Sequence, residues 1–248
     1  MRMRFWIFPA VVATALLSYP AHSFGQTSAG PVPYTADGKP DLSGVWQRPF
    51  VGDMSKSTKD QVGTPELPFT EEGLRAWKSY DATVDGDSTG SCFPFGLMRS
   101  MNSPHPLQII QSPGYVALLY EQNTWFHVIP VGKQHQKNAT PTWFGDSVGR
   151  WEGNTFVVDT VNFNGRTRLD TVGHPHSNAL HVIERFTRTD AKHIAYEVTI
   201  DDPKTFTKTW TNRRTFTLRP DWEIMEYSCE ENNKDLYEGH IKPPPLPK

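Results

Sequence analysis

Apolar and polar residues alternate over short runs along the second half of the chain. In HIAYEVTID, residues 193–201, four large side chains fall on one face, and these are Ile194, Tyr196, Val198 and Ile200. The residues between them are small or polar. Successive side chains of a strand point to opposite faces, so this period of two predicts a strand with one face in a core.

Runs of this kind recur at even spacing, and turn sequences such as TDAK (189–192) separate them. The predicted strands are residues 106–111, 115–121, 124–130, 147–153, 154–163, 179–188, 193–202, 206–218 and 221–230. Many short strands at regular intervals are typical of an antiparallel meander that closes into an up-and-down barrel. The predicted fold is therefore all-β, and about eight or nine strands suit a barrel that holds one small ligand.

The segment before these strands has a different pattern. Residues 26–40 are rich in Pro, Gly and Ser, which predicts an extended strap. Thr70 precedes two glutamates, and a capping residue followed by acidic residues predicts one short helix over residues 70–80. Residues 81–105 are predicted to form a long ordered loop.

The first residues have the pattern of a secretory signal peptide. Arg2 and Arg4 precede the apolar run FWIFPAVVATALLSY (5–19), and small residues follow it. The run is too short for a comfortable membrane span. We therefore expect residues 1–25 to be removed, and the mature protein to be periplasmic or secreted without a membrane attachment.

The rest of the chain divides into three predicted parts. Residues 26–105 form the strap, the short helix and the loop, which pack on the barrel. Residues 106–232 supply the main strands of the barrel. Residues 233–248 form a proline-rich tail, which cannot pair in a sheet because proline lacks the backbone donor.

Composition narrows the expected partners. The formal net charge is −2 and no extended basic patch is present, so nucleic acid is not an expected partner. The sequence has no glycine-rich phosphate loop, which disfavours nucleotide cofactors. Aromatic residues make up 12% of the chain, enough to build a core and to line a site for a small molecule.

The chain has two cysteines, Cys92 and Cys229. A single pair in an oxidising compartment favours a disulfide. Neither cysteine lies in a motif with a nearby base, so a catalytic cysteine is not expected.

Several motifs together carry a resemblance to a known family. They are GDSVGRWEGNTFVVDT (145–160), HPHSNALHVIERF (174–186), DLSGVW (41–46), CFPFG (92–96), TIDDPKTFTKTW (199–210) and EYSCEEN (226–232). The chain resembles a large family of secreted bacterial proteins of mostly unassigned function, although Asn154 replaces the Asp that the family has there. The resemblance covers most of the mature chain and implies a lipocalin-like (calycin-like) barrel, but it implies no particular reaction.

Two predicted strands carry charges among apolar residues. Glu184 shares a strand face with Val182 and Phe186, and Asp159 shares one with two valines. Arg185 lies on the face opposite Glu184. Charged groups need partners if they are buried, and a barrel with a partly polar interior would supply them.

The leading hypothesis is a metal-free acid–base enzyme. It would act on a small apolar or aromatic molecule by elimination, isomerisation or hydrolysis, without a cofactor. His176 and His181 are the candidates for acid and base, because a histidine beside a carboxylate has a usable pKa near neutrality. The carboxylates that would orient them are Asp170, Glu184 and Asp159, and Arg185 would hold an anion. The predicted substrate-binding residues are Trp125, His127, Tyr120, Trp151, His105 and Tyr196.

Three other interpretations remain open. The same barrel could bind a small molecule without turnover. His174, His176 and His181 could ligate a divalent metal in a hydrolase or oxygenase, although their spacing matches no strong zinc signature. These histidines and the charged residues near them could also be ordinary turn and strand residues.

Asp146 and Ser147 lack the strand-turn-helix context of a nucleophile, so Asp146 is expected to fix a turn.

Overall fold

A computed structural model describes residues 29–81, 92–231, 233–234 and 238. The predicted signal peptide, residues 1–25, and most of the proline-rich tail lie outside the described residues.

Within the described residues, ten strands form one sheet. The strands are β1 (Gly44–Gln47), β2 (Gln61–Val62), β3 (Leu107–Ser112), β4 (Tyr115–Tyr120), β5 (Phe126–Pro130), β6 (Asp146–Glu152), β7 (Thr155–Val161), β8 (His181–Arg188), β9 (His193–Asp201) and β10 (Trp210–Leu218). Two helices accompany them, α1 (Glu71–Lys78) and α2 (Leu97–Met101), together with a 3₁₀ turn at Gln122–Thr124. The predicted all-β class is confirmed.

The strands follow one another around a nearly closed barrel. Their order is β5-β4-β3-β1-β10-β9-β8-β7-β6, and β2 pairs with β10 outside this series. Strand β1 lies between β3 and β10 and pairs antiparallel with both. The first strand thus joins the last, which confirms the predicted up-and-down topology.

The barrel closes at a seam between β5 and β6. The series from β5 to β6 contains nine strands, and each runs antiparallel to the next. Because nine is an odd number, β5 and β6 at the two ends run in the same direction. Val131, which follows β5, accordingly forms a parallel bridge with Gly149, and Gly132 donates a 2.8 Å hydrogen bond to the Gly149 carbonyl. Gly149 has no room for a side chain, because a Cβ there would lie 2.5 Å from the Phe156 ring.

The inner face of the barrel forms the core. The alternation predicted for β9 is confirmed, since Ile194, Tyr196, Val198 and Ile200 are all buried. On β8, the face that carries Glu184 points inward and the face that carries His181, Ile183 and Arg185 is only half-buried. Burying these large side chains supplies the main stabilisation of the fold.

Helix α1 forms where the sequence predicts it. The Thr70 side chain accepts a 3.0 Å hydrogen bond from the Gly73 backbone N–H, which is the expected cap.

The prediction of a single helix is wrong, because residues 97–101 of the predicted loop form α2. All five residues of α2 are buried. A helix of five residues is too short to show helical periodicity in a sequence.

Two boundaries also differ from the prediction. Gly44–Gln47, in the predicted strap region, is a barrel strand, and residues 221–230 form no strand. Strand β10 already has β9 and β1 as neighbours, so a further strand after it has no free edge to join.

The predicted disulfide between Cys92 and Cys229 is confirmed. The two residues are separated by 137 positions and their Cα atoms lie 5.5 Å apart. The bond ties the region before α2 to the segment that follows β10. Among the described residues there is no helix with the length and apolar character that a membrane crossing requires.

Candidate functional site

The three histidines of residues 174–181 contact three different partners. His174 Nδ1 lies 2.6 Å from Asp170 Oδ2, and His181 Nε2 lies 2.9 Å from Asp159 Oδ1. His176 Nε2 lies 2.7 Å from the hydroxyl of Thr167. The structure therefore does not bring these histidines together as the alternative metal ligand set requires.

His174 and Asp170 form a buried structural pair. Asp170 Oδ2 also accepts a 2.8 Å hydrogen bond from the Met54 backbone N–H, and the His174 ring lies 4.9 Å from the Trp77 ring. Asp53, Asp170 and His174 are the one group of three potential metal ligands within 4.8 Å among the described residues. The carboxylate oxygens of this group already accept hydrogen bonds. We therefore assign a structural role to the group, which joins the loop of Asp53 to the loop before β8. Asp170 orients neither His176 nor His181, contrary to the prediction.

His176 is held as a neutral ring. Its Nδ1 lies 3.0 Å from the Ser177 carbonyl oxygen and therefore donates, while Nε2 accepts from the Thr167 hydroxyl. Burial lowers the pKa of His176. Because His176 is a buried neutral ring whose lone pair already accepts from Thr167, it does not fit the predicted role of acid or base.

Asp159 is the centre of the cluster that the structure does assemble. One oxygen, Oδ1, lies 2.9 Å from His181 Nε2 and 3.1 Å from His135 Nε2. A carboxylate oxygen only accepts, so each histidine donates its Nε2–H to Asp159. This arrangement fixes the tautomer of His181 with its lone pair on Nδ1, for which no hydrogen bond is found within the described residues.

His135 lies between two carboxylates. Its second nitrogen, Nδ1, is 3.0 Å from Asp146 Oδ2, which also accepts a 2.9 Å hydrogen bond from the Gln136 backbone N–H. Since both ring nitrogens of His135 face acceptors, the hydrogen bonds are satisfied when the ring carries a proton on each nitrogen. We call His135, Asp146, Asp159 and His181 the outer histidine cluster.

The outer histidine cluster lies on the outside of the barrel, whereas the polar residues of these strands were expected to find their partners in a partly polar interior. Phe156 and Val158 point inward on β7, so Asp159 points outward. Across the sheet, Asp159 pairs with Val148 on β6 and Ile183 on β8. These two half-buried apolar side chains flank Asp159 on the neighbouring strands.

Two arginines border the cluster. Arg150 Nη1 lies 3.9 Å from Asp159 Oδ2, and Arg150 also contacts Glu152. Arg185 was predicted to hold an anion, but it forms a 2.7 Å ion pair with Glu152. Hydrogen bonds from Arg185 and Arg150 lower the pKa of Glu152. Of these two arginines, Arg150 is the one that forms an ion pair with Asp159.

Glu184 lies in the barrel interior and not beside the histidines. Its Oε1 accepts a 2.8 Å hydrogen bond from the Tyr196 hydroxyl. Burial raises the pKa of Glu184 to about 7. Arg48, Arg214 and Tyr120 are also buried there. We call Arg48, Tyr120, Glu184, Tyr196 and Arg214 the lumen cluster.

His127 bridges the seam of the barrel. Its Nε2 lies 2.8 Å from the Ser147 hydroxyl on β6, which contacts the Thr160 hydroxyl at 2.8 Å. Burial lowers the pKa of His127 to about 4. The histidine is therefore neutral near neutral pH, and it joins β5 to β6 by a side-chain hydrogen bond.

The predicted substrate-binding residues fall into separate groups, of which Tyr120, Trp125 and His127 lie around the Phe144 ring with ring centroids at 5.9, 6.2 and 5.9 Å. His105 Nδ1 is 3.3 Å from Glu121 Oε1, and both line a cavity of about 720 Å³. Trp151 packs against Phe156 with ring centroids 5.2 Å apart. Trp125 is half-buried near the Phe144 ring. Tyr120 and Tyr196 belong to the lumen cluster, so the predicted set does not line one common pocket.

His135 and Asp146 are the members of the outer histidine cluster that the sequence analysis missed. His135 lies in the irregular segment between β5 and β6, where no periodic pattern indicates which way a side chain points. Asp146 was expected to fix a turn, but it begins strand β6, and its carboxylate accepts from the distant Gln136 backbone N–H and contacts His135. The sequence did contain one indication of this contact. His135 lies in the loop that leads into β6, the strand that begins with Asp146 and pairs with the strand of Asp159.

Comparison with protein-family models and with curated proteins finds no match for this chain. We therefore infer the function from the geometry of the site.

Proposed function

We propose that this protein is an exported acid–base enzyme that acts on a small apolar or aromatic molecule at the outer histidine cluster. The observation that carries the proposal is the shared carboxylate of Asp159, which lies within 2.9 Å of His181 and 3.1 Å of His135. A histidine that a carboxylate holds in one tautomer is oriented for proton transfer. Asp159 lies on β7 and His181 on the paired strand β8, so the sheet fixes the position of the two side chains relative to each other.

We assign the general base to His181. Its Nε2–H donates to Asp159, so the lone pair on Nδ1 is left to accept a proton. The His181 side chain is 34% exposed, which gives a substrate access to the ring. Asp159 would stabilise the imidazolium that forms when His181 takes the proton.

We assign the acid to His135, which is fully hydrogen-bonded as the doubly protonated ring. A proton given up by His135 would complete an elimination or an isomerisation that begins with proton removal by His181. For hydrolysis, His181 would instead activate a water molecule. The proton removed in hydrolysis is that of the water, and the leaving group takes its proton from His135.

The surroundings of the cluster favour a mainly apolar substrate with one polar group. Val148 and Ile183 flank Asp159 in the sheet and offer apolar contact. Arg150 pairs with Glu152 as Arg185 does, but its Nη1 lies 3.9 Å from Asp159, and we assign to it the stabilisation of negative charge that develops on a substrate oxygen. These features support a carbonyl compound as the substrate class.

Export is part of the proposal. The Cys92–Cys229 disulfide supports a non-reducing compartment, because cytosolic thiols are kept reduced. The signal-like pattern of residues 1–25 adds a sequence argument for the periplasm or the medium.

The test measures exchange of deuterium at the α-carbon of a panel of small aryl ketones and hydrolysis of the corresponding esters. The variant is His181→Gln, and the matched control is His193→Gln. His193 also contacts a carboxylate, Asp190, at 2.8 Å and is 37% exposed, but it shares that carboxylate with no second histidine among the described contacts. We expect His181→Gln to slow the reaction by about a hundredfold or more, and the control to keep its rate.

Full activity of His181→Gln, or exchange no faster than in buffer for every compound, would overturn the proposal. Retention of a compound without exchange or hydrolysis would instead support a binding protein without turnover.

A further inference from the structure

The lumen cluster contains more positive than negative charge. Arg48 is 2% exposed, Arg214 is 4% exposed and Glu184 is fully buried. Arginine keeps its proton in proteins, so two guanidinium groups face one carboxylate. A buried charge without a counter-charge is strongly unfavourable. This imbalance predicts a further negative group in the interior.

The members of the cluster face one another across the barrel. The Arg48 guanidinium lies 5.5 Å from the centre of the Tyr120 ring, and the Arg214 guanidinium lies 5.0 Å from the Tyr196 ring. Glu184 interacts electrostatically with both arginines, and the two tyrosines respond to its charge. The five side chains come from β4, β8, β9, β10 and the end of β1, so they surround one region of the interior.

Several polar atoms of the cluster lack a hydrogen-bond partner within the described part of the chain. They are Arg48 Nε, Arg214 Nε and Nη2, and Glu184 Oε2. The other guanidinium nitrogens are satisfied, for example Arg214 Nη1, which donates to Asn102 Oδ1 at 2.6 Å. Buried polar atoms are nearly always paired, and these unpaired donors outnumber the unpaired acceptor. The missing partner is therefore a group that accepts hydrogen bonds.

We propose that the barrel interior binds a small monovalent anion between Arg48 and Arg214, of the class of a carboxylate group or a halide. Water alone would satisfy the hydrogen bonds but would leave the charge unbalanced. A carboxylate satisfies both, because its two oxygens match the donors of a guanidinium fork. Arg48 also borders a surface cavity of about 500 Å³, whose lining includes Gln47, Lys59 and Thr217.

Glu184 competes with the anion for the same positive charge. Arg48, Arg214, Tyr120 and Tyr196 are the charged and titratable groups that face it, and burial raises its pKa to about 7. Below that pH Glu184 is neutral, and the two arginines are available to the anion. Anion binding therefore weakens as the pH rises through this range.

The test follows the thermal unfolding midpoint of the protein in millimolar sodium formate, in a zwitterionic buffer without other added anions, at about pH 6 and about pH 8. Sodium chloride is run in parallel. The informative variant is Glu184→Gln, which keeps the side-chain shape, and its control is Glu197→Gln on the outer face of β9. Arg214→Gln is compared with Arg213→Gln, its neighbour on β10 that points outward to Glu197.

We expect a saturable rise of the midpoint in formate, stronger at the lower pH. In Glu184→Gln the half-saturating formate concentration at the higher pH should fall on the order of tenfold, and the pH dependence should disappear. Arg214→Gln should lose the response, while both controls should keep it. His181→Gln should also keep it, which separates this site from the outer histidine cluster.

Absence of a saturable response in the wild-type protein, or an identical response in Glu184→Gln, would overturn the proposal. If Arg214→Gln does not fold, the Glu184→Gln comparison decides alone. An equal response to chloride assigns the site to halides and carboxylates alike, and a response to formate alone assigns it to the carboxylate of an organic acid.

Discussion

Asp159 on β7 and His181 on β8 are joined by a 2.9 Å hydrogen bond across the outer wall of the barrel. The register of the two strands determines this contact, since Asp159 is the direct partner of Ile183 and His181 lies two residues before it. Diagonal neighbours on adjacent strands are within reach of long side chains. The pair is therefore part of the sheet, and only His135 of the outer histidine cluster comes from a loop between strands.

Asp159→Asn should release His181 from its tautomer while leaving the barrel folded. The amide has no negative charge to stabilise an imidazolium, and its NH2 group donates where the carboxylate only accepts, so His181 is held less firmly for proton removal. We expect proton exchange from the substrate to slow by about a hundredfold or more. The free energy of unfolding in urea should change by less than about 1 kcal/mol, because the cluster is partly exposed to solvent.

Asp190→Asn is the matched control, since it breaks a comparable contact with His193 at 2.8 Å. Equal losses of activity in the two variants would contradict a specific role for Asp159.

Glu184→Gln should change how stability depends on pH. The pKa of Glu184 is about 7 in the folded protein and 4.5 in its ordinary state. The folded protein keeps a proton that the unfolded chain loses, so the free energy of unfolding falls as the pH rises from about 4.5 to about 7 and is then constant. The variant should lack this fall, which amounts to at most about 3 kcal/mol.

The measurement is urea unfolding over a series of pH values for the wild type, Glu184→Gln and the surface control Glu197→Gln. An identical pH profile for all three proteins would be incompatible with a neutral buried Glu184.

His127→Gln should reduce the loss of stability in acid. Burial lowers the pKa of His127 to about 4 from 6.5, so the unfolded chain binds a proton in this window and the folded protein does not. The free energy of unfolding therefore falls as the pH drops from about 6.5 to about 4. Glutamine removes the titration and can still contact Ser147. Burial also lowers the pKa of His176, so some of the acid dependence should remain.

The same urea experiment, carried out over this lower range, compares His127→Gln with His193→Gln, in which an exposed histidine is replaced. A steeper loss of stability in His127→Gln than in the wild type would show that the assignment of His127 is wrong.

Gly149→Ala should destabilise the seam of the barrel. The added Cβ would lie 2.5 Å from the Phe156 ring and 3.1 Å from Ile129, and both side chains belong to the packed interior. We expect a loss of about 1–3 kcal/mol in the free energy of unfolding. Gly114→Ala is the control, because a Cβ at that position meets no atom within 4 Å. Similar stabilities of the two variants would contradict tight packing at the seam.

The regular part of the fold could be predicted from the sequence because burial imposes a visible period. Strand β9 alternates cleanly, and each of its four large apolar residues is buried. Helix α2 could not be predicted in this way. Its five residues are buried on all sides, and their contacts with the barrel, not their pattern, make them helical.

Only part of the candidate site could be predicted from the sequence. Asp159 and His181 could be selected because each is a polar residue among apolar residues of a predicted strand. Which histidine meets which carboxylate depends on strand register and on loop paths, so Asp170 pairs with His174 and Glu184 with Tyr196. His135 was missed because a loop has no period from which its direction could be inferred.

The most direct test of the outer histidine cluster is ¹⁵N NMR of the histidine rings in the wild type and in Asp159→Asn at neutral pH. The account predicts that His181 carries its proton on Nε2 with a lone pair on Nδ1, that His135 also carries a proton on Nε2, and that the Nε2–H signals of both rings change in the variant. Histidines 135 and 181 that exchange freely between tautomers in the wild type, or that do not respond to Asp159→Asn, would contradict the assignment of this cluster as an acid–base site.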